Sequence, residues 1–225
     1  MTAQQVLLAQ VRLLHMPTKF VLFDAFGTLL TIPKGRHPYR QILKEGIRQG
    51  RRPRPDDLRQ ILTRNLDLIE AAKLFGIKIQ PAQLADIQGD LETDMNSIEA
   101  YADGLRAVET LQAAGIKIAI ASNLASPYAD AVRRLYPSVD ACGFSFALGA
   151  MKPEPFFYRA TCELLGADTG DYFGNNKVVM IGDSPRCDRD GPRAVGIRGV
   201  LLNRQSGNDF RNLVEFSDTV LSSQS

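Results

Sequence analysis

The chain has 225 residues, of which 44% are apolar and 23% are charged, and its formal net charge is +2. This composition is ordinary for a globular protein, with room for one large domain or a core with a smaller insert. The small net charge gives no indication of nucleic acid or an anionic membrane as the main partner. Two histidines and three widely spaced cysteines disfavour a multi-histidine metal site, a zinc site and a disulfide framework.

Residues 1–16 are expected to form an N-terminal extension, in which apolar residues at helical spacing predict a short amphipathic helix. The segment lacks the basic start and the small-residue cleavage site of a signal peptide. No apolar run in the chain is long enough for a membrane-spanning helix. With reduced thiols as the expected state of the cysteines, the sequence predicts a cytoplasmic location.

The strongest local pattern is "FVLFDAFGTLL", which runs from Phe20 to Leu30. Its first four residues form an apolar run that predicts a buried parallel strand, and the run ends abruptly at Asp24. Gly27 and Thr28 then predict a turn. Because open α/β sheets bind ligands at the carboxyl ends of their strands, we interpret Asp24 as the centre of a functional site.

The stretch from residue 32 to 101 is predicted to be an all-helical insert, because no strand pattern interrupts it. Apolar residues at helical spacing predict three helices, over Tyr39–Ile47, Leu58–Ile69 and Leu84–Ile98. Pro81 lies near the start of the third helix, a position that proline favours. We expect residues 17–31 and 102–225 to form the core and residues 32–101 to form a separate unit.

From Asp103 onward, predicted strands alternate with predicted helices. The strands are expected at Ile116–Asn123, shortly before Lys152, at "KVVMIGD", at "RGVLLN" and at "TVL" near Leu221; the helices are expected at Leu105–Ala114, Pro127–Tyr136, Pro155–Leu165 and Pro192–Gly196. Such alternation predicts right-handed strand–helix–strand units and a mostly parallel sheet. The predicted fold class is therefore α/β, with an inserted helical unit.

Reactive side chains stand where the predicted strands end. Asp24 follows the first strand, Ser122 and Asn123 end the second, Lys152 follows a short third strand, and Asp183 ends the fourth. The carboxyl ends of parallel strands meet at one edge of a sheet, so these side chains are expected to converge. Two carboxylates, a hydroxyl and an ammonium are the groups needed to hold an anionic substrate beside a divalent cation.

In this order of motifs the sequence resembles the haloacid dehalogenase superfamily, whose hydrolases use an aspartate nucleophile. The first motif matches Asp24 to Thr28, the second Ser122, the third Lys152, and the fourth "GDSPRCD", which contains Asp183 and Asp188. The helical insert resembles the cap of the superfamily's helical-cap (C1) branch. The resemblance implies a Rossmann-like core, a cap over the active site and a small-molecule substrate.

The resemblance also implies catalytic roles. Asp24 would be the nucleophile and would form an aspartyl-phosphate. Ser122 and Lys152 would hold the phosphoryl oxygens, and Lys152 would keep Asp24 ionised, since a nearby cation lowers the pKa of a carboxyl group. Thr28 would orient the loop through its hydroxyl. Asn123 would contact the substrate.

Mg²⁺ is the cofactor that the resemblance implies. Asp24, Asp183 and the backbone carbonyl of Phe26 would bind the ion, with Asp188 at or beside it. Close carboxylates in a cleft repel one another, so a cation between them is physically required. Gly27 and Phe26 would border the substrate.

Phe26 is the residue that departs from the pattern of the superfamily's phosphatases. These enzymes usually have a second aspartate at this position, which protonates the leaving group and then activates water. Three functions remain open: a phosphatase of small phosphorylated metabolites, a 2-haloacid dehalogenase, and a binding protein for a phosphorylated ligand or a partner with low turnover. A halide leaves without a proton and so suits Phe26, but Asp183 and Asp188 favour the metal-dependent phosphatase. The substrate-facing candidates of the insert are Arg36, His37, Arg40 and Arg51 to Arg54.

Overall fold

The computed structural model describes residues 17–173, 177–205 and 210–223, so the predicted N-terminal extension lies outside the described residues. The strands are β1 (Phe20–Phe23), β2 (Leu30–Thr31), β3 (Glu99–Ala100), β4 (Lys117–Ser122), β5 (Ala141–Phe144), β6 (Val178–Gly182) and β7 (Arg198–Leu201). The helices are α1 (Pro38–Arg48), α2 (Asp57–Leu62), α3 (Leu68–Leu74), α4 (Pro81–Asn96), α5 (Ala102–Ala113), α6 (Ala129–Leu135), α7 (Ser145–Leu148), α8 (Pro155–Leu165), α9 (Thr169–Tyr172), α10 (Gly191–Arg193) and α11 (Leu213–Ser222).

A five-stranded sheet with the order β5-β4-β1-β6-β7 forms the centre of the fold. Every neighbouring pair in this sheet is parallel. β1 lies in the middle, where Phe23 is opposite Ile120 on one side and Ile181 on the other. A central parallel strand is covered on both faces, which explains why all four of its residues are apolar and buried. The predicted α/β fold with a mostly parallel sheet is confirmed.

Helices cover both faces of the sheet. Val21 and Phe23 point into an apolar layer with α5, α6 and α11, where the rings of Phe23 and Phe216 pack edge to face at 5.8 Å. Phe20 and Leu22 point into the opposite layer, which α8 dominates. This alternation along one strand is the period of two that a β-strand imposes on its side chains. The two layers hold β1 rigidly and so fix the position of Asp24.

The helices α1 to α4 lie between β2 and β3 and share an apolar cluster that includes Tyr39, Ile42 and Ile87. β2 and β3 pair antiparallel, with Leu30 opposite Ala100, where the insert leaves and rejoins the core. The short strand β3 was not predicted, because a two-residue pairing has no sequence period. That residues 32–101 form a separate domain remains a prediction.

The helix predicted over Leu58–Ile69 is two helices, α2 and α3. The second begins anew at Asp67, whose side chain accepts a hydrogen bond of 2.7 Å from the Glu70 amide. The Glu70 carboxylate in turn accepts one of 2.9 Å from the Asp67 amide. In a continuous helix these amides would donate to backbone carbonyls of the preceding turn. The reciprocal capping box gives them side-chain acceptors instead, so it favours the beginning of a new helix here.

The strand predicted at "TVL" near Leu221 is wrong, because this segment belongs to α11. Asn212 caps the helix by accepting a hydrogen bond of 2.8 Å from the Glu215 amide. Leu213, Phe216 and Val220 then pack into the apolar layer at helical spacing, a period that three letters could not display. The helix predicted at Pro192–Gly196 starts earlier, as a π-helical turn over Pro185–Asp190 that continues into α10. No helix among the described residues is long and apolar enough to cross a membrane.

Candidate active site

The carboxyl ends of β4, β1 and β6 meet at one edge of the sheet and bring the predicted residues together. Asp24 extends the pairing of β1 by one residue, since its amide donates a hydrogen bond of 2.9 Å to the Ile181 carbonyl. Ser122 ends β4 and Asp183 follows β6 on either side of it. The side chains of Asp24 and Ser122 are buried, whereas Asp183 is exposed at the mouth of the site.

Lys152 connects two of the carboxylates. Its Nζ lies 2.6 Å from Asp24 Oδ1 and 2.7 Å from Asp188 Oδ1, and the whole side chain is buried. The backbone at Lys152 is held by the Asn123 amide, whose Nδ2 donates to the Lys152 carbonyl at 2.9 Å. Asn123 Oδ1 accepts from the Lys152 amide at 2.8 Å. Asn123 therefore orients the lysine loop, and the substrate contact proposed for it remains a prediction.

The electrostatic balance of the site is one ammonium against three carboxylates. Burial raises the pKa of Asp24 to about 6, with Lys152 opposing the rise and the charges of Asp188 and Asp183 adding to it. Burial alone would lower the pKa of Lys152, but Asp24 and Asp188 outweigh burial and raise it. Lys152 is therefore firmly charged, yet it does not neutralise the cluster, which retains an excess of negative charge.

The carboxylates lie close enough together that they could hold a divalent cation. One oxygen each from Asp24, Asp183 and Asp188 lies within 4.8 Å of the others. Loss of hydration and the Asp188 charge raise the pKa of Asp183 even though its side chain is exposed. Among the described residues, no donor is hydrogen-bonded to the Phe26 carbonyl oxygen, which leaves that oxygen available as well. Hard oxygen donors of this kind suit Mg²⁺.

Gly27 makes room for the exposed carboxylate. Its φ is +87°, and a Cβ atom at this position would overlap the Asp183 carboxylate. The left-handed turn and the missing side chain together allow the loop after β1 to close against Asp183. Gly27 thereby shapes the candidate metal site, and its predicted contact with substrate remains a prediction.

Replacing Gly27 by alanine tests this geometry against a matched control. Gly50 has a similar φ of +84°, but a Cβ atom there would meet no other atom within 4 Å, so Gly50→Ala introduces the backbone strain alone. Both variants should lose roughly 1–2 kcal/mol of stability. Only Gly27→Ala should also weaken Mg²⁺ binding, by about 10- to 100-fold. Equal Mg²⁺ affinity of the two variants, measured by titration, would contradict the assignment.

Two residues with hydroxyl groups border Asp24. The Thr28 hydroxyl lies 3.4 Å from Asp24 Oδ2, the oxygen that Lys152 does not contact. Ser122 ends β4 beside Asp24, and its hydroxyl makes no hydrogen bond within the described part of the chain. Every fully enclosed side-chain nitrogen or oxygen of those residues has a partner, so the Ser122 hydroxyl retains some solvent exposure. It is thus available to an anionic substrate beside Asp24.

Arg204 supports the site and was missed in the sequence. Its guanidinium donates to the Thr28 carbonyl at 2.9 Å, forms a two-pronged ion pair with Asp103 and lies 4.0 Å above the Tyr101 ring. These contacts fix the loop that carries Gly27 and Thr28. The available signal was its position just beyond β7, at the same edge of the sheet as the other strand ends.

Phe26, in the loop after β1, borders a cavity of about 210 Å³. Its ring packs edge to face on Tyr128 at 6.1 Å. Residues of the insert and of the segment after β4 border this open cavity. Its lining is mainly apolar: Phe26, Ile32, His37, Pro38, Tyr39, Arg40, Leu58, Ile61, Leu62, Asp94, Asn123, Leu124, Ala125 and Tyr128. Of the substrate-facing candidates in the insert, His37 and Arg40 reach this lining.

Several solved structures share this fold. A HAD (haloacid dehalogenase) phosphatase from Thermococcus onnurineus is 26% identical in sequence. The match covers 90% of this chain and 98% of the phosphatase chain, with a TM-score of 0.61. An L-2-haloacid dehalogenase from Xanthobacter autotrophicus is 22% identical, covering 84% and 79%, with a TM-score of 0.55. A HAD-family enzyme from Bacteroides thetaiotaomicron, an aspartate-to-alanine mutant in complex with magnesium and inorganic phosphate, is 14% identical, covering 85% and 97%, with a TM-score of 0.59.

A comparison with curated protein sequences returns no significant match. The family model described as haloacid dehalogenase-like hydrolase matches residues 18–196, a range that contains all four motifs and the helical insert. This range is most of the chain, and the parallel sheet with its reactive strand ends agrees with it. The chain belongs to the haloacid dehalogenase-like hydrolases.

Proposed function

We propose that this protein is a Mg²⁺-dependent phosphohydrolase of small phosphorylated molecules, with Asp24 as its nucleophile. The observation that carries the proposal is the cluster of Asp24, Asp183 and Asp188, whose carboxylate oxygens lie within 4.8 Å of one another. Three carboxylates with one lysine are poorly neutralised without a divalent cation. Two structural neighbours support this chemistry: the phosphatase from Thermococcus onnurineus, and the Bacteroides thetaiotaomicron enzyme that was solved with magnesium and inorganic phosphate.

Each residue of the cluster has a step to perform. Asp24 Oδ2 is the oxygen that Lys152 leaves uncovered, so it is the atom that attacks phosphorus. Lys152 holds Asp24 in place through Oδ1 and offers its positive charge to the phosphoryl oxygens. The Ser122 hydroxyl is free to donate to one of those oxygens. Bound Mg²⁺ would supply further positive charge at the phosphoryl group, held by Asp24, Asp183, Asp188 and the Phe26 carbonyl.

Phe26 limits the leaving groups that this arrangement can expel unaided. The side chain has no proton to give, and general acid–base catalysis contributes about 10²- to 10⁴-fold in other enzymes. Aryl and acyl phosphates release a stable anion and need little help from an acid. We therefore expect the protein to turn over these activated esters even without a proton donor from another segment.

Haloacid dehalogenation is the second candidate. The aromatic ring of Phe26 and the mainly apolar cavity beside it favour this chemistry, because a halide leaves without a proton. A 2-haloacid carries its own carboxylate, however, and would have to approach an already negative cluster. Asp183 and Asp188 therefore weigh against the dehalogenase and leave it second.

A substrate panel with and without metal distinguishes the candidates. We expect phosphate release from p-nitrophenyl phosphate and acetyl phosphate in Mg²⁺, reduced by on the order of 10²-fold or more in EDTA and restored by added Mg²⁺. Halide release from 2-chloropropionate in EDTA would support the dehalogenase instead. Mg²⁺ binding without either activity would support a phosphorylated-ligand binding protein.

A pair of variants checks that the metal effect comes from this cluster. Asp183→Asn should raise the Mg²⁺ concentration needed for half-maximal activity by about 10- to 100-fold. Asp190→Asn is the matched control, because Asp190 is an exposed aspartate of the same segment that pairs with Arg189. It should leave the Mg²⁺ dependence unchanged. Equal behaviour of the two variants would place the metal elsewhere.

A further inference from the structure

An exposed histidine in the lining of the cavity beside Phe26 is held in an unusual backbone conformation. His37 has φ 57° and ψ 59°, in the left-handed region, and among the described residues it is the only one other than glycine with a positive φ. A residue before proline normally adopts an extended conformation, and Pro38 follows directly. Histidine tolerates the left-handed region better than most residues, but the conformation is still unfavourable. Other contacts must therefore hold it.

Asp94 provides those contacts. Its buried carboxylate accepts a hydrogen bond of 2.8 Å from the Arg36 amide and one of 3.3 Å from the His37 amide. The same carboxylate accepts a hydrogen bond of 3.1 Å from the Tyr128 hydroxyl. Because the Tyr128 ring packs on Phe26, Asp94 ties the His37 backbone to the side chain that occupies the acid–base position.

Most other polar groups of the cavity lining already have partners. The Tyr39 hydroxyl donates to the Leu66 carbonyl at 2.6 Å, and the Asn123 amide is bonded to the Lys152 backbone. Burial raises the pKa of both Tyr39 and Tyr128, so these hydroxyls retain their protons. Within the described residues, the side chains of His37 and Arg40 make no hydrogen bond or ion pair.

Those two side chains differ in what they can do chemically. An arginine side chain stays charged and does not transfer protons. A histidine side chain ordinarily titrates near neutral pH and both gives and takes protons in catalysis. His37 is therefore the group of this lining that can perform the task for which Phe26 is unsuited.

We propose that His37, supplied by the helical insert, is the acid–base catalyst of this phosphohydrolase. The proposal rests on the proposed function. As Asp24 forms its bond to phosphorus, the bond between phosphorus and the leaving-group oxygen breaks, and the imidazolium of His37 gives its proton to that oxygen. In the second step the neutral imidazole takes a proton from the water that attacks phosphorus, and Asp24 is released as a carboxylate with inorganic phosphate.

The dependence on leaving group tests this role. His37→Asn keeps a residue that tolerates the left-handed conformation but cannot supply a proton. We expect its kcat/KM for an alkyl ester such as glycerol 3-phosphate to fall by about 10²- to 10⁴-fold. For p-nitrophenyl phosphate, whose leaving group departs as an anion, the first step should change by less than about 10-fold, measured as the burst of nitrophenolate.

Arg40→Gln is the matched control, since Arg40 is the other side chain of the lining that has no partner among the described residues. As a binding group it should change both esters by a similar factor. His37→Gly provides a second variant, because glycine relieves the left-handed strain and should not lower the melting temperature through the backbone. Imidazole added to His37→Gly should restore turnover of the alkyl ester, which a purely structural role for His37 would not allow.

The outcomes separate this proposal from the proposed function. If wild-type protein hydrolyses p-nitrophenyl phosphate with Mg²⁺ but His37→Asn slows the first step equally for both esters, the role of His37 as the acid is overturned while the phosphohydrolase stands. Absence of Mg²⁺-dependent phosphate release from both esters overturns the phosphohydrolase and with it the role of His37. A loss of the first step confined to the alkyl ester, with rescue by imidazole, supports both.

Discussion

Replacing Asp24 by asparagine is expected to lower phosphate release from p-nitrophenyl phosphate by up to about 10⁶-fold, the loss seen when another hydrolase loses its nucleophile. The substitution preserves the size of the side chain, and an amide oxygen is a poor nucleophile. It should also prevent labelling of the protein by phosphate, since the covalent intermediate of the proposed mechanism forms at Asp24. Steady-state kinetics and mass spectrometry of quenched reactions measure these effects.

The Asp24→Asn variant is expected to remain folded. Lys152 retains Asp188 as an ionic partner at 2.7 Å, and the cluster loses one of three repelling negative charges. The melting temperature without metal should therefore be at least as high as that of the wild-type protein. More than about 1% residual activity in a folded variant would mean that another group attacks phosphorus, since a lost nucleophile costs far more.

Replacing Lys152 by methionine should have the second-largest effect, on stability as well as on catalysis. Lys152 is 2% exposed and contacts both Asp24 and Asp188. Removing the cation from a buried ion pair typically costs about 3–5 kcal/mol, because the carboxylates are left buried without a partner. We expect a loss of this size by urea denaturation, together with a fall in kcat of on the order of 10²- to 10³-fold from the missing electrostatic contact.

Lys177→Met serves as the matched control for this substitution. Lys177 forms an ion pair of 3.0 Å with Asp171, outside the candidate site. An ion pair nearer the surface contributes about 0–1 kcal/mol, so the control should change stability little. Adding Asp188→Asn to Lys152→Met should recover part of the lost stability by removing one unpaired charge. A stability loss below about 1 kcal/mol for Lys152→Met would show that the buried carboxylates do not depend on this lysine.

Three of the predicted site residues, Asp24, Ser122 and Asp183, could be placed in the sequence because each lies at the end of an apolar run. Asp24 and Asp183 interrupt such runs abruptly, and a parallel sheet has only one edge where those interruptions can meet. The helical insert was visible in the same way, since its apolar residues recur at helical spacing. The division between α2 and α3 was not visible in the sequence. The capping box at Asp67 involves only four residues, and the helical spacing of the apolar residues around it is the stronger pattern.

His37, Asp94 and Arg204 illustrate what a sequence conceals. Asp94 resembles any polar residue of an exposed helix, yet it is buried and accepts hydrogen bonds from a loop 57 and 58 residues earlier in the chain. His37 could be named as a candidate of the insert, but only the packing of the insert against the segment after β4 brings it into the lining of the cavity beside Phe26. Arg204 reaches the loop of Asp24 across 176 residues.

The sequence by itself determined the class of fold and the chemical character of the site, because burial and strand direction are recorded in local apolar periods. It also predicted that Phe26 departs from the pattern of the family's phosphatases. Only the tertiary structure decided how the carboxylates share Lys152, why Gly27 must lack a side chain, and which residues of the insert line the cavity beside Phe26. Those features depend on distances of a few ångströms between segments far apart in the chain, and no local pattern of residues records such distances.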